Sequence, residues 1–253
     1  MRKTSLYLLL VPTIFSSFLL CASHQVQIKT IVKINNETSQ VYFNDGDTFK
    51  VLDGKYKNER VRIIGFNTLE SYGPIHQWEN SAPEELYDVA VQATQMARNG
   101  SWSCKLEKNS DIYGRLLAQC DDLAKSLIES GLAHAYSAKK KSANKEYLAW
   151  QKKAQENRLG MWKKGIPKFI ITSLHSVDEN IKNQKTSTLQ ITRRENYNRL
   201  ISTEDGHTEK MFHSEKYSSC QKICLEENSC MIYVHYRQRY GKNRPDCLLA
   251  EQK

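Results

Sequence analysis

The sequence predicts a mainly β chain with three helices, followed by a small disulfide-rich α+β module, and three observations carry that reading. The first half holds several short apolar runs bounded by turn residues. Later stretches repeat apolar residues at helical spacing. Four of the seven cysteines crowd between Cys220 and Cys247. At 253 residues the chain has room for one domain with appendages, or for two.

The first strand-like run opens at Val26, alternates through Ile28 and continues through Ile31 and Val32. Val41 to Phe43, Phe49 to Leu52 and Val61 to Phe66 follow, with Asp53-Gly54 as a hairpin signal between the last two. Ser81-Ala82-Pro83-Glu84 reads as a capping box, and Leu86, Val89, Ala90, Ala93, Met96 and Ala97 recur at helical spacing until Asn99-Gly100 ends the helix. A hairpin from Trp102 to Cys120 comes next. A short helix over Asp122 to Ser130 is closed by Gly131, and a longer one over Ala143 to Leu159 by Gly160. Five strands with three helices interposed and appended predict a five-stranded OB-fold barrel over residues 24–165.

A polar tract from Asp178 to Ser187 marks residues 166–192 as a linker, and 193–253 as a second unit. There, Asn196 to Phe212 alternates around Glu204-Asp205-Gly206, a hairpin pattern. Cys220 and Cys224 lie one helical turn apart, Cys230 to Tyr236 reads as a strand, and Cys247-Leu248-Leu249 as another. Arg237, Arg239, Lys242 and Arg244 flank Tyr236 and Tyr240, which reads either as an accessory patch for DNA or as an ordinary charged surface.

The N-terminus carries Arg2 and Lys3 and then an apolar run from Leu6 to Leu20, the pattern of a secretory signal peptide over residues 1–23. A secreted or periplasmic location is expected. Leu19-Leu20-Cys21 also reads as a loose lipobox, and an acylated Cys21 would tether an outer-membrane or surface lipoprotein to its membrane. Without Cys21, six cysteines remain for an oxidising compartment. The spacing of the last four lacks the paired CxxC knuckles of structural zinc sites, so disulfides are the better reading.

Composition excludes a collagen-like or wholly disordered chain, with 40% hydrophobic and 26% charged residues. The formal net charge of +9 favours polyanionic partners. It is unevenly spread: His24 to Trp162 holds 19 basic and 17 acidic residues, whereas Lys163 to Lys253 holds 16 and 11. If the first unit handles nucleic acid, it must do so through a local site.

Three segments carry candidate chemistry. Asn44-Asp45-Gly46-Asp47-Thr48 places two carboxylates on a tight turn, where oxygens can converge on a hard cation. Arg62 sits in an otherwise apolar strand, with Glu70 just past that strand's end. Asp111-Ile112-Tyr113-Gly114-Arg115 sets a second guanidinium beside an aromatic ring at a hairpin turn. A metal-binding carboxylate, a general base and two guanidiniums are what phosphodiester hydrolysis requires, because charge builds on the phosphoryl oxygens in the transition state. His76 and Trp78, in the stretch after Glu70, are candidates for either substrate contact or loop packing. His134 reads as structural, Tyr147 and Trp150 as core, and Lys139 to Lys141 as a solvated basic run.

In this order the motifs resemble the staphylococcal nuclease family, the secreted thermonucleases, over about Gln25 to Trp162. The resemblance implies an OB-fold, Arg62, Glu70 and Arg115 as catalytic residues, and calcium as cofactor. Asp47, the backbone carbonyl of Thr68 and the side chain of Asn67 are its implied ligands, and Tyr113 and Tyr136 the implied nucleotide-binding residues. The family usually has Asp-Thr-Pro-Glu where this chain has Asn67-Thr68-Leu69-Glu70. One calcium carboxylate becomes an amide, which should weaken the metal site, with Asp45 as a possible compensating carboxylate. The C-terminal cysteine pattern resembles a reduced PAN/apple module, which implies Cys220–Cys247 and Cys224–Cys230 pairing and a protein or glycan ligand. Cys104 and Cys120 are expected to pair across the hairpin that carries Arg115. The expected activity is a secreted, monomeric, calcium-dependent endonuclease acting on DNA and RNA; the alternative is a weak or inactive binding protein acting through its C-terminal module.

Overall fold

The computed structural model describes residues 30–71, 75–138, 141–179, 196–225, 229–239 and 244–248. The signal-peptide and Cys21 readings, and Lys139 and Lys140, lie outside the described residues. A closed barrel is built from β1 (Thr30–Ile34), β2 (Glu37–Asp45), β3 (Thr48–Val51), β4 (Arg60–Ile63), β7 (Ser101–Ser110) and β8 (Leu116–Gln119), in the order β1-β2-β3-β4-β8-β7. Neighbours run antiparallel except β4 with β8 and β1 with β7, which are parallel. Inward positions alternate as the pleat demands, so Val32, Ile34, Val41, Phe43, Phe49, Val51, Val61, Ile63 and Ala118 fill the interior. Six strands close the barrel where the sequence marked five. The expected hairpin from Trp102 to Cys120 supplies two of them, β7 and β8, so that hairpin and the four earlier runs together make six.

Three short strands lie beside the barrel: β5 (Phe66–Thr68), β6 (His76–Trp78) and β9 (Ala133–Ala135). β5 pairs antiparallel with β9. The apolar run from Val61 to Phe66 is therefore broken between β4 and β5, at Gly65, whose φ is +93°.

The helices are α1 (Pro83–Asn99), α2 (Asp121–Glu129) and α3 (Lys145–Glu156). The start of α1 is shifted by one residue from the expected box: Ala82 is the cap position, and the Glu85 carboxylate accepts from its backbone N–H at 2.9 Å. Asn144 caps α3 by accepting from Glu146 N at 2.8 Å. The C-terminal ends of α2 and α3 meet at two glycines with positive φ, Gly131 at +69° and Gly160 at +49°. A Cβ on Gly131 would sit 2.3 Å from the Leu159 carbonyl oxygen, and one on Gly160 2.2 Å from that of Gly131, so only glycine fits either place.

The remaining strands are β10 (Phe169–Ser173), β11 (Asn196–Ser202), β12 (Thr208–His213), β13 (Lys222–Cys224) and β14 (Ser229–Ile232). β10, β11 and β12 form one antiparallel sheet. Residues 169–173 thus leave the expected linker, because Ile170 and Ile171 are fully buried. β13, β14 and β6 form another sheet, which carries a strand of the first unit into the second. The turn between β11 and β12 also docks on the first unit. Gln151 accepts from Ala135 N at 2.7 Å and donates to Thr203 O at 2.6 Å, and Ala143 N donates to Asp205 O at 2.8 Å.

Three disulfides are formed: Cys104–Cys120, Cys220–Cys247 and Cys224–Cys230. The first ties β7 to the residue that caps α2. The expected helix across Cys220 and Cys224 is absent: Cys220 has φ +68° and Cys224 lies in β13, which pairs with β14. Cys247 and Leu248 lie in a turn rather than a strand. With that helix and strand missing, the likeness to a PAN/apple module is not supported, although the disulfides suit an oxidising compartment. Among the described residues no helix is long and apolar enough to cross a membrane.

Candidate active site

The site is built where the β2–β3 turn meets β4 and β5. Gly46 lets that turn lie against Thr68, since a Cβ there would stand 2.5 Å from the Thr68 Cγ2 methyl. The Asp47 backbone carbonyl accepts from Ile63 N at 2.8 Å, and the Asp45 carboxylate accepts from Asp47 N at 3.2 Å. The Asp47 side chain, 3% exposed, is therefore fixed at the mouth of β4.

Asp47 Oδ2 accepts from Thr68 N at 2.9 Å and from Thr68 Oγ1 at 3.3 Å, while Oδ1 accepts from Thr48 Oγ1 at 3.1 Å and from Arg62 Nη1. The other terminal nitrogen of Arg62 donates to Asn67 Oδ1, and Asn67 Nδ2 donates to Thr68 O at 2.9 Å. One guanidinium thus gathers the Asp47 and Asn67 side-chain oxygens around a single positive centre. The donors are all oxygen, as a hard cation such as calcium prefers, and the Asp47 carboxylate, Asn67 Oδ1 and the Thr68 carbonyl fit one chemically. Among the described residues no cluster of three or more His, Cys, Asp or Glu accompanies them.

Around this core the charges converge. Burial pushes the Glu70 carboxyl above its ordinary value, the neighbouring Asp45 pushes it further, and Arg62, Arg239 and Arg115 oppose both. Asp45 is likewise raised by burial, against the pull of Arg62, the Thr48 hydroxyl and Arg115. Burial lowers Arg62, Asp45 counters that, and the like charge of Arg115 adds to the lowering; Glu70 and Tyr136 also act on it. Arg62, Glu70, Arg115, Asp45 and Tyr136 therefore share one electrostatic neighbourhood.

Arg115 is held by its own turn. The Asp111 carboxylate accepts from Arg115 Nε at 2.7 Å, and from the backbone N–H groups of Tyr113 and Arg115 at 2.9 Å each. Burial of Asp111 works against its ionisation, but these hydrogen bonds outweigh it and hold its carboxyl below the usual range. The Tyr113 ring stands 67% exposed, with the Arg115 guanidinium 5.6 Å from its centroid. Tyr136, half-buried, is tied by its backbone N–H to Gly65 O at 2.9 Å.

His76 and Trp78 are not loop residues open to substrate. Both are buried in β6, and the Trp78 indole donates to Met161 O at 3.2 Å. His134 is buried opposite Asn67 in the β5–β9 pair. One role of consequence escaped sequence reasoning. Asp111 organises the Arg115 turn, which the Asp-x-Tyr-Gly-Arg spacing makes legible as an Asx-type turn. Arg239, which the sequence marks only as part of a basic and aromatic patch, reaches the Glu70 neighbourhood from the far end of the chain.

No curated protein matches this chain. Residues 60–164, which include Arg62, Glu70 and Arg115 and end just past the helix pair closing the first unit, match the family model of the staphylococcal nuclease homologues, and so support a nuclease-like fold for that stretch.

Proposed function

We propose that the chain is an exported, calcium-dependent nuclease that hydrolyses phosphodiester bonds in DNA and RNA. The observation that carries this reading is the convergence of Arg62, Arg115 and Glu70 on one neighbourhood beside Asp47, Asn67 and Thr68. Arg62 and Arg115 bind the non-bridging oxygens of the scissile phosphate and stabilise the charge that grows there. Glu70, once ionised, takes a proton from the attacking water, whose oxygen joins phosphorus as one ester bond breaks and its oxygen leaves as an alcohol after gaining a proton from solvent. Tyr113 and Tyr136 offer faces for a base or sugar next to the guanidiniums.

Asp47, Asn67 and the Thr68 carbonyl would hold calcium, which supplies further positive charge to the phosphodiester when bound. Arg62 contacts the same two side-chain oxygens, so they would be open to a cation only if its guanidinium gave them up, which would free it for the substrate phosphate. The Arg2-to-Leu20 leader and three disulfides support export.

Incubating the mature chain with plasmid DNA and with RNA tests this reading. Cleavage is expected with calcium, none with chelator, and a rate lower by about 10²-fold or more in Glu70→Gln. A second reading, a protein that binds nucleic acid or another ligand without cutting, is favoured by Asn67, which removes one negative charge from the metal site. Binding with no cleavage at any calcium concentration would select it.

A further inference from the structure

The chain enters β6 soon after Glu70, and β6 is an edge of the sheet completed by β14 and β13. Trp78, Gln77 and His76 stand opposite Ser229, Cys230 and Met231, and Ile232 N donates to Ile75 O at 2.9 Å. The backbone that follows Glu70 is thus hydrogen-bonded to the strand leading toward Arg239. After β14, Tyr233 and Val234 are buried, and a single 3₁₀ turn over Tyr236–Gln238 brings the chain to Arg239. Arg239 Nε donates to Val234 O at 2.9 Å, and Gln238 N donates to His235 O at 2.8 Å. Cys224–Cys230 locks β13 to β14, and Cys220–Cys247 ties the residues that flank this stretch. Arg239 is therefore carried on a braced support, half-buried, beside the Glu70 segment.

We propose that Arg239 is a third guanidinium of the nucleic-acid site: it grips a phosphate adjoining the scissile one, so that the C-terminal unit forms one wall of the substrate groove. The assignment rests on the nuclease reading for the position of the scissile phosphate. Its positive charge bears on the Glu70 carboxyl together with those of Arg62 and Arg115. Arg62 and Arg115 act on one side-chain group from the first unit, and the bond to Val234 uses Arg239 Nε alone. A planar guanidinium suits phosphate by its paired donors. Arg237 and Arg244, both exposed, add positive charge to the same short segment.

The test uses the full mature chain with Glu70→Gln, so that substrate survives, and measures binding of a labelled single-stranded DNA oligonucleotide by fluorescence anisotropy across a salt series in calcium. Adding Arg239→Ala should weaken binding about tenfold at moderate salt and reduce the slope of log affinity against log salt by about 0.7, the share of one phosphate contact. Arg239→Lys should keep the slope, which a purely structural role would not require. Arg239→Gln, whose amide can still donate to Val234 O, covers the case in which alanine disturbs the turn, and should lose the slope as alanine does. An unchanged slope in the Ala and Gln variants, or no binding by the parent, overturns the proposal. An Arg239-dependent slope in a chain whose Glu70 form never cleaves would defeat the nuclease reading and leave Arg239 as a phosphate contact. Cleavage with no Arg239 dependence would do the reverse.

Discussion

Arg62 donates to Asp47 from one terminal nitrogen and to Asn67 from the other, so an amide stands where a second carboxylate would face the same cationic centre. Asn67→Asp adds a negative charge there with little change of shape. Calcium affinity in oxygen-ligand sites follows ligand charge, and half-activation of the native chain is expected at roughly 10⁻⁴ to 10⁻³ M. The variant should lower that concentration on the order of tenfold, measured both by cleavage and by calorimetric titration of calcium. Equal calcium dependence in the two proteins would remove Asn67 from the ligand set.

The two arginines proposed to act on the phosphate should fail differently when replaced. Arg62 is 18% exposed and Asp47 3%, so Arg62→Ala leaves a buried carboxylate without its countercharge. Breaking such a pair costs about 3 to 5 kcal/mol, and this variant should lose stability along with activity. Arg115 pairs with Asp111 on an exposed turn, 25% and 17% exposed. Arg115→Ala should lose about 10²-fold or more in rate while its denaturant midpoint moves little. Urea unfolding of both variants decides the matter, and an Arg62→Ala chain as stable as the parent would show that Asp47 finds another partner.

Glu70 has burial, then Asp45, raising its carboxyl above the ordinary 4.5 against the pull of three arginines. A base must be ionised to act, so the acid limb of kcat/KM should fall above that value. Glu70→Gln should remove about 10²-fold or more of the rate and leave the fold at least as stable, because it replaces a carboxyl whose charge its surroundings disfavour. An acid limb at or below pH 4.5, or a variant with native turnover, would give the base role to another group.

Most of the barrel was legible because its strands bury one face and expose the other. In β1 and β2 that alternation is written directly in the residues. Other elements carry no such signal. β5, β6 and β9 are three residues each, too short for a period, and they are held by pairing with distant strands. The CxxxC spacing of Cys220 and Cys224 suits a helix, but the disulfide to Cys230 and the pairing with β14 hold Cys224 extended. Within the site, Arg62, Glu70 and Arg115 could be chosen by residue type and order. Arg239 could be marked only as part of a basic and aromatic patch, because its place near Glu70 depends on β6 joining the sheet of β14, a contact between residues far apart in the chain.

Cys104–Cys120 joins β7 to the cap of α2 and brackets the turn that carries Arg115. Its loop, with a sequence separation of 16, corresponds to about 3 kcal/mol in the chain-entropy account. Replacing both cysteines by alanine should lower the unfolding free energy by up to about that amount, and slow cleavage if the turn loosens. Peptide mapping of non-reduced protein should recover the linkage. Free thiols at both positions in exported material would contradict it.

The buried histidine pair predicts how the fold responds to acid. His76 and His134 are almost fully enclosed, and both ring nitrogens of His76 and Nε2 of His134 meet no hydrogen-bond partner among the described residues. Burial first, and then the nearby His134, lowers His76 to about 3. Burial also lowers His134 to about 4; its contact with the Ala135 carbonyl resists this, and the charge of Arg62 adds to it. The unfolded chain, with ordinary values near 6.5, takes up protons that the native state refuses, so the stability each neutral ring confers is present above that pH and lost as pH falls toward 4. Each histidine contributes a slope of up to about 1.4 kcal/mol per pH unit in that window. Asp45 and Glu70, raised in the folded state, act in the opposite sense there, so the comparison must be between variants. His76→Gln should flatten the fall in urea midpoint between about pH 6 and 4 relative to the native chain, by its share of that slope. Parallel pH profiles for the two proteins would show that His76 is protonated as readily folded as unfolded, and that the pair does not set acid stability.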